Sequence, residues 1–447
     1  MKTIIFAFAL LLNVASAHAV FEFEEDKSLP IVYVNIALDA GAAQDPAKKN
    51  GLANLASRML LRGTQSRSKA EFFEALNKLG GQLEVDVRTE GTIIRGAVLS
   101  ENLEPFLKLV DETLTRPKFT SGELTKIKSE IEGLILEQKA SDQALTQYHF
   151  NRFLYGTHPY GNPVIGTRAG VKTITYKDVV DFYTLNFSDK TLHLFGSGDA
   201  EKGEVKKWFD SLSEKLSAVH PEAKPVTPVP APEFSPGRRT LLVHKPNISQ
   251  PHILIGGKGM RPDTTRGFYA ILLANHSFGG GSFQARMMQE IRVKRGWTYG
   301  ASNSFRFGRV PRHFGMYTFT PTAQTAPATE LMLSMFDDFL KNGIKREEFD
   351  FAKQSLVNNA PFNYDTPRKR LENATTEHLI QFPRGYFEEF ANNIDKVSYE
   401  DIAPALQSTL SSDNLALTVV GDKTKLLNSL TRLPGFSAPA VKNYDED

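Results

Sequence analysis

The chain has 447 residues, too many for one ordinary hydrophobic core, and its 41% apolar and 23% charged content is that of a globular protein. A formal net charge of +2, from 53 Lys and Arg against 51 Asp and Glu, leaves no electrostatic footprint for nucleic acid. With no cysteine in the sequence, disulfides, thiol catalysis and thiolate metal sites are excluded.

Residues 1–19 read as a secretory signal. Lys2 supplies the positive start, Ile4 to Leu12 the apolar run, and Ala15-Ser16-Ala17 or Ala17-His18-Ala19 the cleavage site. That run is too short to span a bilayer and no later segment is long enough, so the expectation is an exported protein without a membrane span, periplasmic if the host is Gram-negative. Ile31 to Ala40 is a nearly continuous apolar strand. Gly51 to Leu60 is a helix whose buried face carries Leu52, Leu55, Ala56, Met59 and Leu60. Asn54, Ser57 and Arg58 share its opposite face. Ala70 to Leu79 is a helix stopped by Gly80-Gly81. Gln82 to Arg88 alternates as a strand and Thr92 to Leu99 is a second one. Long helices follow over Leu103 to Leu114 and Thr125 to Lys139, the latter with Thr120 to Glu123 as a capping box.

The chain then repeats itself. Tyr176 aligns with Tyr399 at an offset of 223, and the same offset pairs Asp178 with Asp401, Ser188 with Ser411, Leu192 with Leu415, Leu194 with Leu417, Gly198 with Gly421 and Asp199 with Asp422. Leu109 to Leu114 matches Met335 to Leu340 at nearly the same spacing. Two homologous halves follow: residues 20–219 and residues 238–447, joined by a proline-rich linker over 220–237. Such a semi-rigid spacer suits two lobes held apart and facing one another. Strands followed by helices in each half predict an α+β fold, each half a mostly antiparallel sheet with helices packed on it.

Two places invite chemistry. In the second half, Gly279-Gly280-Gly281 opens an apparent helix that a basic run closes, and Arg292 stands seven residues before Tyr299. A guanidinium and a phenol can both hold a carbonyl oxygen, and the glycines would let backbone approach a substrate closely. The plain alternative is a solvated basic helix face with Arg286, Lys294 and Arg295, over a core of Met287, Met288 and Ile291. In the first half, the Asn54, Ser57, Arg58 face has the spacing with which His-x-x-Glu-His presents two imidazoles to zinc and a glutamate to water. No two histidines stand three or four apart, so no helical ligand pair exists, and each lone histidine reads as a core or surface residue.

Gly51-Leu52-Ala53-Asn54-Leu55-Ala56-Ser57-Arg58-Met59-Leu60-Leu61-Arg62-Gly63-Thr64 resembles the pitrilysin/insulinase family of inverzincin zinc peptidases. The paired halves, the Leu154 to Gly161 stretch and the Gly279 to Tyr299 stretch carry the resemblance over nearly the whole mature chain. Members of the family read Gly-Leu-Ala-His-x-x-Glu-His at the first motif. Here Asn54 and Arg58 replace the histidines and Ser57 the glutamate, while Glu137 matches the third zinc ligand, with Glu130 on the same face. The resemblance therefore implies a degenerate zinc site and no cofactor in this chain, with an Arg58–Glu137 ion pair filling the vacancy. Leu83 to Val87 reads as an ordinary sheet strand; the resemblance places the family's substrate-pairing edge there.

The resemblance also implies a role for the pair that is kept. Arg292 and Tyr299 match the residues that bind the scissile carbonyl and steady the oxyanion. The expectation is a non-zinc-binding subunit of a heteromeric zinc peptidase. Its partners would be a homologous zinc-binding subunit, which carries the metal, and a peptide substrate. The alternative is an inert pseudopeptidase acting as scaffold or peptide-holding protein.

Overall fold

A computed structural model describes residues 19–281 and 283–446; the secretory signal read in residues 1–19 lies, but for Ala19, outside the described residues. The first half runs β1 (Phe21–Glu25), β2 (Ile31–Leu38), α1 (Leu52–Met59), α2 (Lys69–Lys78), β3 (Gln82–Val87), β4 (Thr92–Leu99), α3 (Leu103–Thr115), α4 (Ser121–Ala140), α5 (Asp142–Tyr155), α6 (Arg168–Thr173), α7 (Tyr176–Asn186), β5 (Leu192–Gly198) and α8 (Lys202–Val219). The second half runs β6 (Arg239–His244), β7 (His252–Lys258), α9 (Arg266–Phe278), a wide π-helical turn (Met288–Val293), β8 (Ala301–Phe305), β9 (His313–Phe319), α10 (Thr325–Asn342), α11 (Arg346–Asn359), α12 (Pro367–Ile380), α13 (Phe390–Asp395), α14 (Ile402–Thr409), β10 (Ala416–Gly421), α15 (Lys423–Thr431) and β11 (Ala440–Asn443).

The two sheets have the same topology. Strand order is β1-β5-β2-β4-β3 in the first half and β6-β10-β7-β9-β8 in the second, with β11 added beside β6. Only the β1–β5, β6–β10 and β6–β11 pairs are parallel; the other pairs are antiparallel. The duplication read from Tyr176 and Tyr399 thus appears as α7 and α14, each leading into a central strand, β5 or β10, that ends on Gly198 or Gly421.

Each sheet buries both faces, which explains the near-continuous apolar run of β2. Val32, Val34, Ile36 and Leu38 point into the first half's own helices, among Leu52 and Met59 of α1, Phe106 of α3 and Phe209 of α8. Ala37, Ile93 and Phe195 point the other way, onto Leu371 and Leu379 of α12, a helix of the second half. The arrangement is reciprocal. Phe150 and Leu154 of α5, in the first half, pack against Leu254 of β7 and Ala416 of β10. Polar groups complete the α12 contact: Asn35 Nδ2 donates to Thr375 Oγ1 at 3.0 Å, Arg95 pairs with Glu372 at 3.0 Å and Arg370 with Glu24 at 2.8 Å. Gly256 in β7 permits the α5 crossing, since a Cβ there would lie 2.9 Å from the Phe150 ring.

This exchange corrects the expectation of lobes held apart. The linker has no helix or strand over 220–237, but it lies along the junction. Val229 and Phe234 pack on the Phe150 and Tyr155 cluster, and the Pro230 carbonyl bonds His158 Nε2 at 2.8 Å. Among the described residues no helix is long and apolar enough to cross a membrane.

Candidate functional site

Helix α1 forms as its pattern dictates: Leu52, Leu55, Ala56, Met59 and Leu60 are almost wholly buried. Gly51 enters it at φ 101°, a left-handed conformation suited to glycine. The Asp45 carboxylate accepts from the Gly51 and Ala53 N–H groups at 2.6 and 2.7 Å and so caps the helix. Its other face does not present three groups together. Asn54 and Arg58 line a cleft of about 530 Å³, with Asp86 and Val87 of β3, Gln147 and Asn151 of α5 and the loop from Gly161 to Ile165. Ser57 is fully buried, and its hydroxyl has no hydrogen-bond partner among the described residues.

The expected Arg58–Glu137 ion pair does not form. Arg58 turns along its own helix and donates from Nε to Asn54 Oδ1 at 2.8 Å. Glu137 sits exposed on α4 and joins no ion pair among the described residues. The carboxylate that does find an arginine is Glu130, which takes Arg62 at 2.5 Å. Thr120 caps α4 by accepting from the Glu123 N–H at 3.2 Å, but Glu123 turns to Lys126 at 2.6 Å instead of closing the box. These residues do not fit zinc: a guanidinium and an amide stand where two imidazoles are required, and the hydroxyl at the third position faces the core.

In the second half the triple glycine closes α9 and does not open the next helix. The Gly279 and Gly280 N–H groups cap the Asn275 carbonyl at 2.9 and 2.7 Å. A Cβ on Gly279 would lie 2.5 Å from the Asn303 nitrogen of β8, so the close backbone approach it allows is to its own sheet. Gly280 is packed against His276, with a Cβ 2.8 Å from its Cα. Gly281 has φ 113° and open space beside it. Helical structure resumes near Arg286 and widens over Met288–Val293.

That wide turn brings Arg292 to Tyr299. Arg292 Nη1 donates to the Tyr299 carbonyl oxygen at 2.9 Å, and the guanidinium lies 5.1 Å from the Phe283 ring centre and 5.9 Å from that of Tyr299. Tyr299 is 74% exposed, and its phenol has no partner among the described residues. Arg286 is not part of a solvated face, because it is tucked inward onto Glu348 at 2.8 Å and Asp338 at 3.1 Å. Lys294 and Arg295 both hold Glu290, at 2.5 and 2.8 Å. Met287 and Ile291 are core.

Sequence reasoning missed a cluster at the junction of the halves. His193 of β5 and His378 of α12 have ring centres 4.0 Å apart, with Asp39 beside both. Asp39 accepts from Arg309 Nη2 at 2.5 Å and from His193 Nε2 at 3.1 Å. Burial raises the Asp39 carboxyl, but His193, His378 and Arg309 together hold it well below the usual carboxylate range. The Val20 N–H donates to His193 Nδ1 at 3.1 Å, which leaves the proton on Nε2. Nε2 is then a donor to Asp39 and has no lone pair to offer a metal, so the cluster ties the halves together. Beside it, the Arg309 N–H donates to Glu90 at 2.7 Å, and Glu90 also accepts from Tyr160. No local spacing signals residues so far apart in the chain; only the pairing of α12 with the first sheet joins them.

Residues 20–168 match the model described as insulinase (peptidase family M16), and residues 173–356 match that of the peptidase M16 inactive domain. A Helicobacter pylori protein named non-peptidase homolog YmxG is 23% identical over 407 residues, covering 90% of this chain and 92% of its own. A Bacillus subtilis protein named uncharacterized zinc protease YmxG is 20% identical over 401 residues, 89% of this chain and 94% of its own. The crystal structure of a peptidase M16 inactive domain from Pseudomonas fluorescens superposes with a TM-score of 0.83 at 24% identity, over 91% of this chain and 96% of that one. The two family models, which together take in most of the chain, and a solved structure of the same fold place the chain in the insulinase (M16) peptidase family.

Proposed function

We propose that this chain is the non-zinc-binding subunit of a secreted heteromeric zinc metallopeptidase, and that its Arg292 and Tyr299 contact the scissile peptide carbonyl in the site of a homologous, zinc-binding partner. The observation that carries the reading is the contrast between the halves. Arg292 is joined to Tyr299 by its own hydrogen bond and the Tyr299 ring is turned to solvent, while the Asn54, Ser57, Arg58 position has no ligand set. The name of the Helicobacter pylori relative, a non-peptidase homolog, agrees with the second point.

The chemistry needs only what the pair offers. Water attack on a peptide carbonyl builds negative charge on one oxygen, and fixed donors at that oxygen lower the barrier. With Nη1 committed to the Tyr299 carbonyl, Arg292 keeps Nε and Nη2 for a substrate oxygen, and the phenol is a second donor. The partner would supply the metal and the general base.

The test is the reconstituted complex with a zinc-binding homologue. Arg292→Ala and Tyr299→Phe are each expected to lower kcat by roughly 10²–10³-fold without changing subunit stoichiometry or the partner's zinc content. Unchanged turnover in both variants sinks the trans-catalytic reading. A second reading, an inert peptide-holding protein, is favoured by Arg292 already being engaged within its own chain, and it predicts that unchanged turnover.

A further inference from the structure

We infer that the cleft beside α1 is a carboxylate-binding site that takes an extended peptide by a free carboxyl group, with Arg58 as its anchor. The inference is independent of any partner subunit. It starts from what Arg58 does not do. Its Nε is held by Asn54 Oδ1 at 2.8 Å, which fixes the plane of the guanidinium, and its two terminal nitrogens have no partner among the described residues. A half-buried arginine with its fork unengaged matches the two oxygens of a carboxylate.

The surroundings agree in charge. Among the described residues Asp86 is the one acidic side chain lining the cleft, and it is already neutralised by Arg95 at 2.8 Å and Arg88 at 3.1 Å. Those two guanidiniums, by way of hydrogen bonds and charge, more than offset burial and hold its carboxyl below the ordinary range. Arg58 is therefore left without a counter-charge among the described residues. The remaining wall is suited to a peptide backbone. Gln147 Nε2 donates to Asn151 Oδ1 at 2.8 Å, which leaves the Asn151 amide nitrogen and the Gln147 carbonyl to bond elsewhere. Asp86 and Val87, which line the cleft, close β3, an edge strand that pairs with β4 alone and has no strand along its outer side among the described residues. The volume of about 530 Å³ admits a few residues.

Two sources offer the same group: an acidic side chain or a peptide C-terminus. Purified full-length chain, without partner, is titrated with fluorescent hexapeptides of two kinds. One is amidated with a single internal Glu; the other has neutral side chains and a free C-terminus. Saturable binding of either kind is expected, weakened at least tenfold by Arg58→Gln and less by Arg58→Lys, which keeps the charge but not the fork. The kind that binds assigns the source. An unchanged thermal melt of both variants shows that the loss is local; if Arg58→Gln misfolds, Arg58→Lys carries the comparison. Absence of saturable binding by both peptides, or equal binding by wild type and a folded Arg58 variant, overturns the inference.

Discussion

Truncating Phe150 asks whether the exchanged helices hold the two halves as one unit. Phe150 belongs to the first half by sequence, yet it is fully buried on the second half's sheet, beside Gly256 and edge-on to His313 with ring centres 5.2 Å apart. Phe150→Ala removes the ring from a site with no exposure. The lost transfer energy is about 2–3 kcal/mol. The cavity adds to it, because strands β7 and β9 are hydrogen-bonded through Leu254, Gly256 and Phe314 and cannot collapse onto the gap. The expected total is about 3–5 kcal/mol. The assay is hydrogen exchange with peptide resolution, alongside urea unfolding of the full chain. The amides of β7 and β10 should lose protection although the mutation lies about 100 residues before the first and about 270 before the second, and the linker over 220–237 should become a protease site. If protection falls only within α5 and the second sheet is untouched, the helix is an ornament on the junction and the reasoning fails.

The other expectations concern charge and burial. Burial lowers the pKa of His149 to about 4 and that of His313 to about 3, so both stay neutral in the folded chain. Their stabilising share is complete above the unfolded value near 6.5 and is lost as pH falls below it, by roughly 2 kcal/mol each at pH 5. Urea midpoints at pH 7.5 and pH 5 should show this loss, and His149→Leu should flatten it; an unchanged slope in that variant refutes the assignment. Ser57→Ala removes a buried hydroxyl with no partner among the described residues and should leave the unfolding free energy unchanged or raise it by about 0.5–1 kcal/mol. A clear destabilisation would mean that Ser57 makes a contact the structure does not contain.

Much of the fold was legible because its signals are local. The buried stripe of α1, the Gly80 stop after α2 and the alternation of β3 each follow from a few neighbouring residues, and they appear within a residue or so of the expected bounds. The repeat of Tyr176 and Tyr399 gave the two-sheet plan. What stayed hidden depends on residues far apart. Nothing near Phe150 says that its helix belongs to the other sheet, and nothing near His378 points to Asp39. The triple glycine misled for a related reason: glycines that end a helix and glycines that precede one look alike until the partner of Gly279, the β8 strand, is in place. At the first-half motif, the loss of the imidazoles was plain. The burial of Ser57 and the turning of Arg58 onto Asn54 were not, because both depend on how α1 rolls against its neighbours.

The exchange of α5 and α12 also sets an order on synthesis. When β5 leaves the ribosome the first sheet is complete, but Ala37, Ile93 and Phe195 remain bare until α12 is made, near the end of the chain. For that interval an apolar sheet face is open to solvent and to other nascent chains. The first half cannot finish folding by itself, and a chain truncated before Pro367 should behave as a chaperone client and not as a stable half-length protein.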